Sequence, residues 1–256
     1  MRILSIQTGQ PQTLTLPDPN AKNKTKDGDK NDANEEGWVS GILKTPVHGA
    51  IYLGKTNLDG DGQGDTKAHG GPDKAVCVYA HDHYSYWQER FGLETLTTGS
   101  FGENFTTLGL VESELCIGDT FAIGNAERGG ASGGVVVQVS QPRGPCWKLA
   151  RRWQVGDMVE QVQATGFTGW YFRVLAEGTV AAGDALHLIE RPYPHLTLAE
   201  TNRLIHHDKE DWEAMAALLA CPLLSQSVQN SLRRRINLHA PKTVADRIYG
   251  RGDAGR

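Results

Sequence analysis

Hydrophobic residues along this chain come in short bursts. Residues 2–8 and 133–140 each gather aliphatic and β-branched side chains over the length of a strand, and similar runs recur at 38–44, 50–53, 75–79, 119–123, 169–175 and 185–190. Glycine-rich turns separate them, a spacing that predicts a β-barrel or sandwich rather than βαβ units. Helical spacing intervenes twice. Tyr84, Trp87 and Phe91 recur at three and four positions, predicting a helix over 81–91, and a second is expected over 147–164. Past Arg191-Pro192-Tyr193-Pro194 the pattern becomes helical throughout, at about 197–207, 209–220 and 223–237. Trp212, Met215 and Leu219 share one face, as do Leu224, Val228, Leu232 and Ile236, so these segments can bury one another as a small three-helix unit. The expected fold is mainly β: a barrel-like core with short helices over 1–192, a C-terminal three-helix domain over 195–240, and a tail over 241–256.

Two stretches break the pattern. About residues 18–36 are charged and carry no large apolar side chain that could offset the entropy of ordering, so a mobile surface insertion is expected. Residues 125–134 are a Gly-rich loop. It contains a formal G-x-S-x-G, but a nucleophile elbow follows a strand and opens a helix, and here a glycine loop opens a strand. Two calcium-like beginnings also fail. One has Asp32 where a glycine is needed and Trp38 where the bidentate glutamate belongs; the other has Gly70 at that last position.

Composition narrows the class. The chain of 256 residues is 39% hydrophobic and 22% charged with a net charge of −4, which suits a globular protein and argues against a nucleic-acid partner. No apolar run reaches membrane-spanning length, and the N-terminus turns polar too soon for an export signal, so a cytoplasmic location is expected. The four cysteines form no CxxC pair, which removes zinc ribbons and disulfide scaffolds and leaves reduced thiols. Cys77 and His81 alone do not make a zinc site. Arg233-Arg234-Arg235 reads as a solvated helix end.

Three segments concentrate chemistry. In Ser140-Gln141-Pro142-Arg143-Gly144-Pro145-Cys146-Trp147-Lys148-Leu149, two prolines stiffen a turn that ends in a cysteine flanked by Arg143 and Lys148. A thiol beside fixed positive charge ionises more readily, and the thiolate is both a nucleophile and a soft metal ligand. In His69-Gly70-Gly71-Pro72-Asp73-Lys74, paired glycines permit positive φ and an anion nest of N–H groups. Phe101-Gly102-Glu103-Asn104 sets a carboxylate and an amide after a glycine. There is no HExxH or CxxCH motif, and a redox enzyme built on these segments would take its electrons from another protein.

Together with Gly169-Trp170-x-x-Arg173-Val174 and the appended helices, these segments resemble the MOSC-domain proteins (molybdenum cofactor sulfurase C-terminal domain), in the YiiM-like branch. The resemblance covers nearly the whole chain; the insertions at about 18–36 and 125–134 are its departures. It implies a barrel-like core that holds a molybdenum–pterin cofactor, with the Cys146 thiolate as metal ligand. It would place Arg143, Lys148 and Lys74 near the cofactor's phosphate or pterin. His69, Asn104 and the backbone of Gly70 and Gly71 would bond the pterin or orient the substrate, with Glu103 at the cofactor or, like Asp65, behind it as an anchor. The implied activity is reduction of N-hydroxylated bases, hydroxylamines or amidoximes to amines by a monomer or homodimer, with electrons from a separate flavoprotein or iron–sulfur protein. The alternatives are a persulfide sulfur carrier through Cys146, a thiol hydrolase with His69 as base, and a non-catalytic binding module.

Overall fold

The computed structural model describes residues 1–20, 37–124 and 134–238. Residues 21–36 of the expected insertion, 125–133 of the Gly-rich stretch with most of its G-x-S-x-G, and the tail from 239 onward lie outside them. The start of the insertion is corrected: Asn20 is placed, donating from Nδ2 to the Gly156 carbonyl at 3.0 Å, with Asp18 3.9 Å from Arg151. Polar residues with partners on a neighbouring turn need no apolar side chain to be held.

The chain opens with β1 (Arg2–Thr8), β2 (Gln12–Leu14), β3 (Trp38–Ser40), β4 (Thr45–Pro46) and β5 (Ala50–Leu53). There follow α1 (Thr66–His69), β6 (Val76–Ala80), α2 (Tyr84–Phe91), β7 (Phe105–Leu108), β8 (Thr120–Gly124) and β9 (Val135–Pro142). After β9 come α3 (Trp147–Trp153), α4 (Met158–Thr165), β10 (Trp170–Ala176), β11 (Gly178–Ala181) and β12 (Ala185–Glu190). The C-terminal helices are α5 (Leu198–Asn202), continued by a π-turn at Arg203–His207, then α6 (Trp212–Leu219) and α7 (Gln226–Leu238). The main sheet runs β12-β8-β9-β10-β6-β7-β1, and pairing of β1 with β12 closes these seven strands into a barrel. The pairings are antiparallel except β6 with β7, which is parallel. That exception follows from α2, which carries the chain back across the barrel end between those two strands.

Inward-facing Ile3, Ile6, Phe121, Val137, Val139 and Phe172 fill the barrel. The C-terminal helices share that core, since Leu204, Met215, Leu218, Cys221, Leu224 and Leu232 belong to the same buried cluster. A second cluster under α2, α3 and α4 is built on Tyr79, Trp87, Phe101, Leu149 and Met158.

Three sequence expectations are corrected. The single helix over 147–164 is two, because Gln154 adopts φ 55°, closing α3 before Gly156 and Asp157 redirect the chain. The strand over 38–44 stops at Ser40, which leaves Gly41–Lys44 as a loop over the barrel mouth. Arg235 is not solvated: it is buried, and its Nη1 and Nη2 donate to the Leu204 and Ile205 carbonyls of the π-turn. A π-turn frees carbonyls from the regular ladder, and a guanidinium fork can bridge two of them.

Candidate functional site

Strand β9 carries the backbone to the barrel mouth, where Pro142 and Pro145 bracket an arm ending at Cys146, the residue before α3. Arg143 N donates to the Gly169 carbonyl at 2.9 Å, tying the arm to the start of β10. Opposite lies the turn between α1 and β6. Gly71 there has φ 93°, a conformation that suits glycine. Gly70 is needed for space instead, because a Cβ would come 2.8 Å from the Thr66 carbonyl, and its N–H is spent on that same oxygen. The expected nest therefore does not include Gly70 N–H.

His69, Lys74, Arg143, Cys146 and Lys148 converge on an inner pocket of about 80 Å³, together with Asn104. From it a groove of about 900 Å³ runs outward between Trp38 and Trp147 on one side and α7 on the other, where Ser227, Ser231 and Arg235 form the wall. Helix α7 is stapled to the site. Ser225 N donates to the Ser140 carbonyl at 2.9 Å, Ser227 Oγ to Gln141 Oε1 at 2.8 Å, and Gln226 N to Asp73 Oδ2 at 2.9 Å. Asp73 is also paired with Arg173 at 2.8 Å.

Glu103, expected at the cofactor, does not line the pocket and is fully buried behind it. Its Oε1 accepts from Gly99 N at 2.7 Å, Thr106 Oγ1 at 2.8 Å and the Tyr84 hydroxyl, while Oε2 accepts from Phe101 N at 3.0 Å. It organises the loop that carries Gly102 and Asn104, the anchoring role left open for it. Asn104 reaches the pocket with its polar groups occupied. Oδ1 accepts from Cys77 N at 3.0 Å, and Nδ2 donates to Gln7 O at 3.2 Å and Asp61 Oδ2 at 2.9 Å. It braces β1, β6 and the Asp61 loop; both N–H groups of its amide are committed, and the second lone pair of Oδ1 is what it can still offer a bound molecule.

Sequence reasoning missed Lys44 and Tyr171 and set Cys77 aside as half of a zinc pair, yet all three also line the inner pocket. Tyr171 occupies a variable position of the Gly169–Val174 motif, and Cys77 follows the His69–Val76 motif directly, so proximity to the motifs was the available signal. Lys44 had none; it is neutralised by its ion pair with Asp61. Among the described residues, no group of three or more His, Cys, Asp or Glu side chains could hold a metal by themselves.

The cations set the electrostatics. Arg143 is only 8% exposed, and among the described residues its guanidinium has neither an ion-pair nor a hydrogen-bond partner. Burial opposes its charge, and Cys77, Tyr171 and Cys146 raise its pKa above the ordinary value only in so far as they ionise. Burial raises the Tyr171 and Cys77 pKa values, so both groups stay protonated. His69 is pulled down from 6.5 to about 4, first by burial and then by Lys148, Arg143 and Lys74, against a smaller pull from Asp65. Its imidazole is thus neutral at physiological pH. The unfolded chain takes up this proton near pH 6.5 and the folded chain only near 4, so His69 contributes stability that is lost as pH falls through that window. The His69 ring resonance is expected to titrate with a midpoint near 4 by NMR, accompanied by a falling melting temperature between pH 6.5 and 4. A midpoint above 6 would contradict this electrostatic picture.

A buried, unpaired guanidinium is costly unless an anion completes it, and a half-buried thiol beside it offers a soft ligand. The donor set therefore suits a group with a phosphate and a sulfur-loving metal. The groove is also of the size that holds a cofactor-sized molecule.

Known proteins are similar in sequence and fold. Residues 65–187 match the MOSC domain and residues 196–239 the YiiM-like, 3-alpha helix domain. YflK of Bacillus subtilis is 42% identical over 91% of this chain and 93% of its own. A protein of Gibberella moniliformis named "Reductase" is 31% identical over 80% of this chain, which spans 35% of that longer protein. The crystal structure of YiiM from Geobacillus stearothermophilus superposes with a TM-score of 0.70 at 34% identity, covering 92% of this chain and 98% of that one. With both its MOSC domain and its appended helices matched, the chain belongs to the YiiM-like family of MOSC-domain proteins.

Proposed function

We propose that this protein is a molybdenum cofactor-dependent reductase that removes oxygen from N-hydroxylated compounds, such as N-hydroxylated bases, hydroxylamines and amidoximes, to give amines. The observation that carries the reading is the buried, unpaired Arg143 guanidinium in one pocket with the half-exposed thiol of Cys146. Membership of the MOSC family supports the cofactor, and the relative named "Reductase" supports the direction of the chemistry.

When bound, the molybdenum–pterin group would supply the two-electron acceptance of oxygen from the N–O bond, with two protons completing water. Cys146 would hold the metal through its sulfur. Arg143, Lys74 and Lys148 would hold the phosphate by charge-assisted hydrogen bonds. His69, kept neutral by burial and by these cations, can donate or accept one hydrogen bond without adding charge. Trp38, Trp147 and the α7 wall would enclose the organic part of the substrate, and electrons would come from a separate flavoprotein or iron–sulfur protein.

The test is protein purified from a host that makes the cofactor. Stoichiometric molybdenum and pterin are expected, with turnover of an N-hydroxylated purine to the amine when a chemical reductant is supplied. Folded protein without molybdenum, carrying instead cyanide-labile sulfur on Cys146, would replace this reading with the persulfide carrier.

A further inference from the structure

The turn that holds the Arg143 backbone is itself held from outside the site. The loop between β7 and β8 carries Glu112, which is 3% exposed. Its Oε1 accepts from Gly169 N at 2.7 Å, and its Oε2 pairs with His83 Nε2, also at 2.7 Å. Gly169 has φ 73°, and a Cβ there would lie 2.3 Å from the Val78 carbonyl, so the turn admits no other residue and cannot shift toward β6. The Gly169 carbonyl accepts from both Arg143 N and Thr168 Oγ1, each at 2.9 Å. Thr168 Oγ1 in turn accepts from Asn202 Nδ2 of α5 at 2.9 Å. The neighbouring Phe167 is clamped as well: its carbonyl accepts from the Tyr79 hydroxyl, and its ring stacks on His83 at 3.8 Å. Glu112 and His83 line a separate cavity of about 320 Å³ that shares no lining residue with the Cys146 pocket or its groove.

We propose that Glu112 is a positioning residue of the Cys146 site, fixing the Gly169 turn and, through the Gly169–Arg143 hydrogen bond, the arm that presents Arg143 and Cys146. A buried carboxylate is a costly way to accept one N–H, and a neutral turn could have closed on a carbonyl. Here the charge shortens and stiffens the bond to Gly169, and His83 satisfies the other oxygen. Both peptide faces of Gly169 are engaged: Glu112 holds the N–H and the arm donates to the carbonyl. Displacement of the turn therefore moves the Arg143 backbone directly. The helical unit reaches the same point through Asn202 and Thr168.

The proposal rests on the Arg143–Cys146 pocket being an anion-binding site. Its test reads the arm in two ways that need no cofactor: inorganic phosphate affinity by calorimetry, and the rate of Cys146 alkylation by iodoacetamide, followed on the Cys146 peptide by mass spectrometry. Glu112→Ala is expected to weaken phosphate binding by about tenfold or more and to change the alkylation rate several-fold. Glu112→Gln, which keeps an acceptor for Gly169 N, restores both to within about threefold of wild type, a rescue that a general loss of stability would not give. A folded Glu112→Ala protein matching wild type in both measurements, or a loss that Gln does not restore, overturns the proposal. Should Glu112→Ala fail to fold, Thr168→Val carries the same measurements, with smaller changes in the same direction expected and no change overturning it. Should wild type bind no phosphate, the anion-site reading fails and the alkylation rates alone decide the role of Glu112.

Discussion

Cys146→Ala is expected to purify as a folded protein without bound molybdenum, turning over N-hydroxylated substrate at least about a hundredfold more slowly than wild type. The structural cost is small. Cys146 is half-buried, and its side chain makes no capping bond to α3, so stability should change by about 1 kcal/mol or less. The functional cost is large because no other thiol can substitute. Cys116 and Cys221 are buried elsewhere, and Cys77, though in the pocket, is held protonated by burial. Metal analysis, steady-state kinetics and a melting curve on one preparation separate these terms. Retention of metal and turnover by the variant would remove Cys146 from the mechanism.

The largest effect on stability is expected at Glu103. Glu103→Ala strips the acceptor from Gly99 N, Phe101 N, the Tyr84 hydroxyl and Thr106 Oγ1 at once, and the two backbone donors are buried too deeply to find water. Each stranded buried donor costs about 1–3 kcal/mol, so a loss of about 4 kcal/mol and a melting temperature lower by about 10 °C are expected. Glu103→Gln should lose about half as much, because one amide oxygen still serves the Oε1 donors while its NH₂ faces the N–H of Phe101. Calorimetric melting of the three proteins checks the order. Equal melting temperatures would mean that the Phe101–Asn104 loop is held by something other than this carboxylate.

Much of the architecture was legible because it is local. The run at 2–8 is β1 as expected, and the spacing of Tyr84, Trp87 and Phe91 produced α2. The face formed by Leu224, Val228, Leu232 and Ile236 packs as foreseen. Strands β2, β4, β7 and β11 escaped notice because they are short and take their definition from their partners. At the site the motifs marked the right segments, but not the direction in which each side chain points. Glu103 and Asn104 are adjacent, yet one turns behind the pocket and the other braces its wall, a distinction set by Tyr84, Cys77 and Asp61 far away in sequence. Gly70 and Gly71 were read alike, although only one needs its backbone angle.

The staples from Ser225, Gln226 and Ser227 to the barrel carry a consequence for biosynthesis. Strand β9 and the Cys146 arm leave the ribosome well before α7, yet the outer wall of their groove and two of their polar partners arrive only with residues 225–238. Until then the barrel exposes the patch that Leu224, Val228 and Leu232 will cover, and its cationic mouth stands open on one side. The Cys146 pocket and its groove are thus completed by the last packed helix of the described chain. On the proposed function, cofactor loading would be a late, post-translational event, and a nascent chain that stalls before α7 presents an unfinished site.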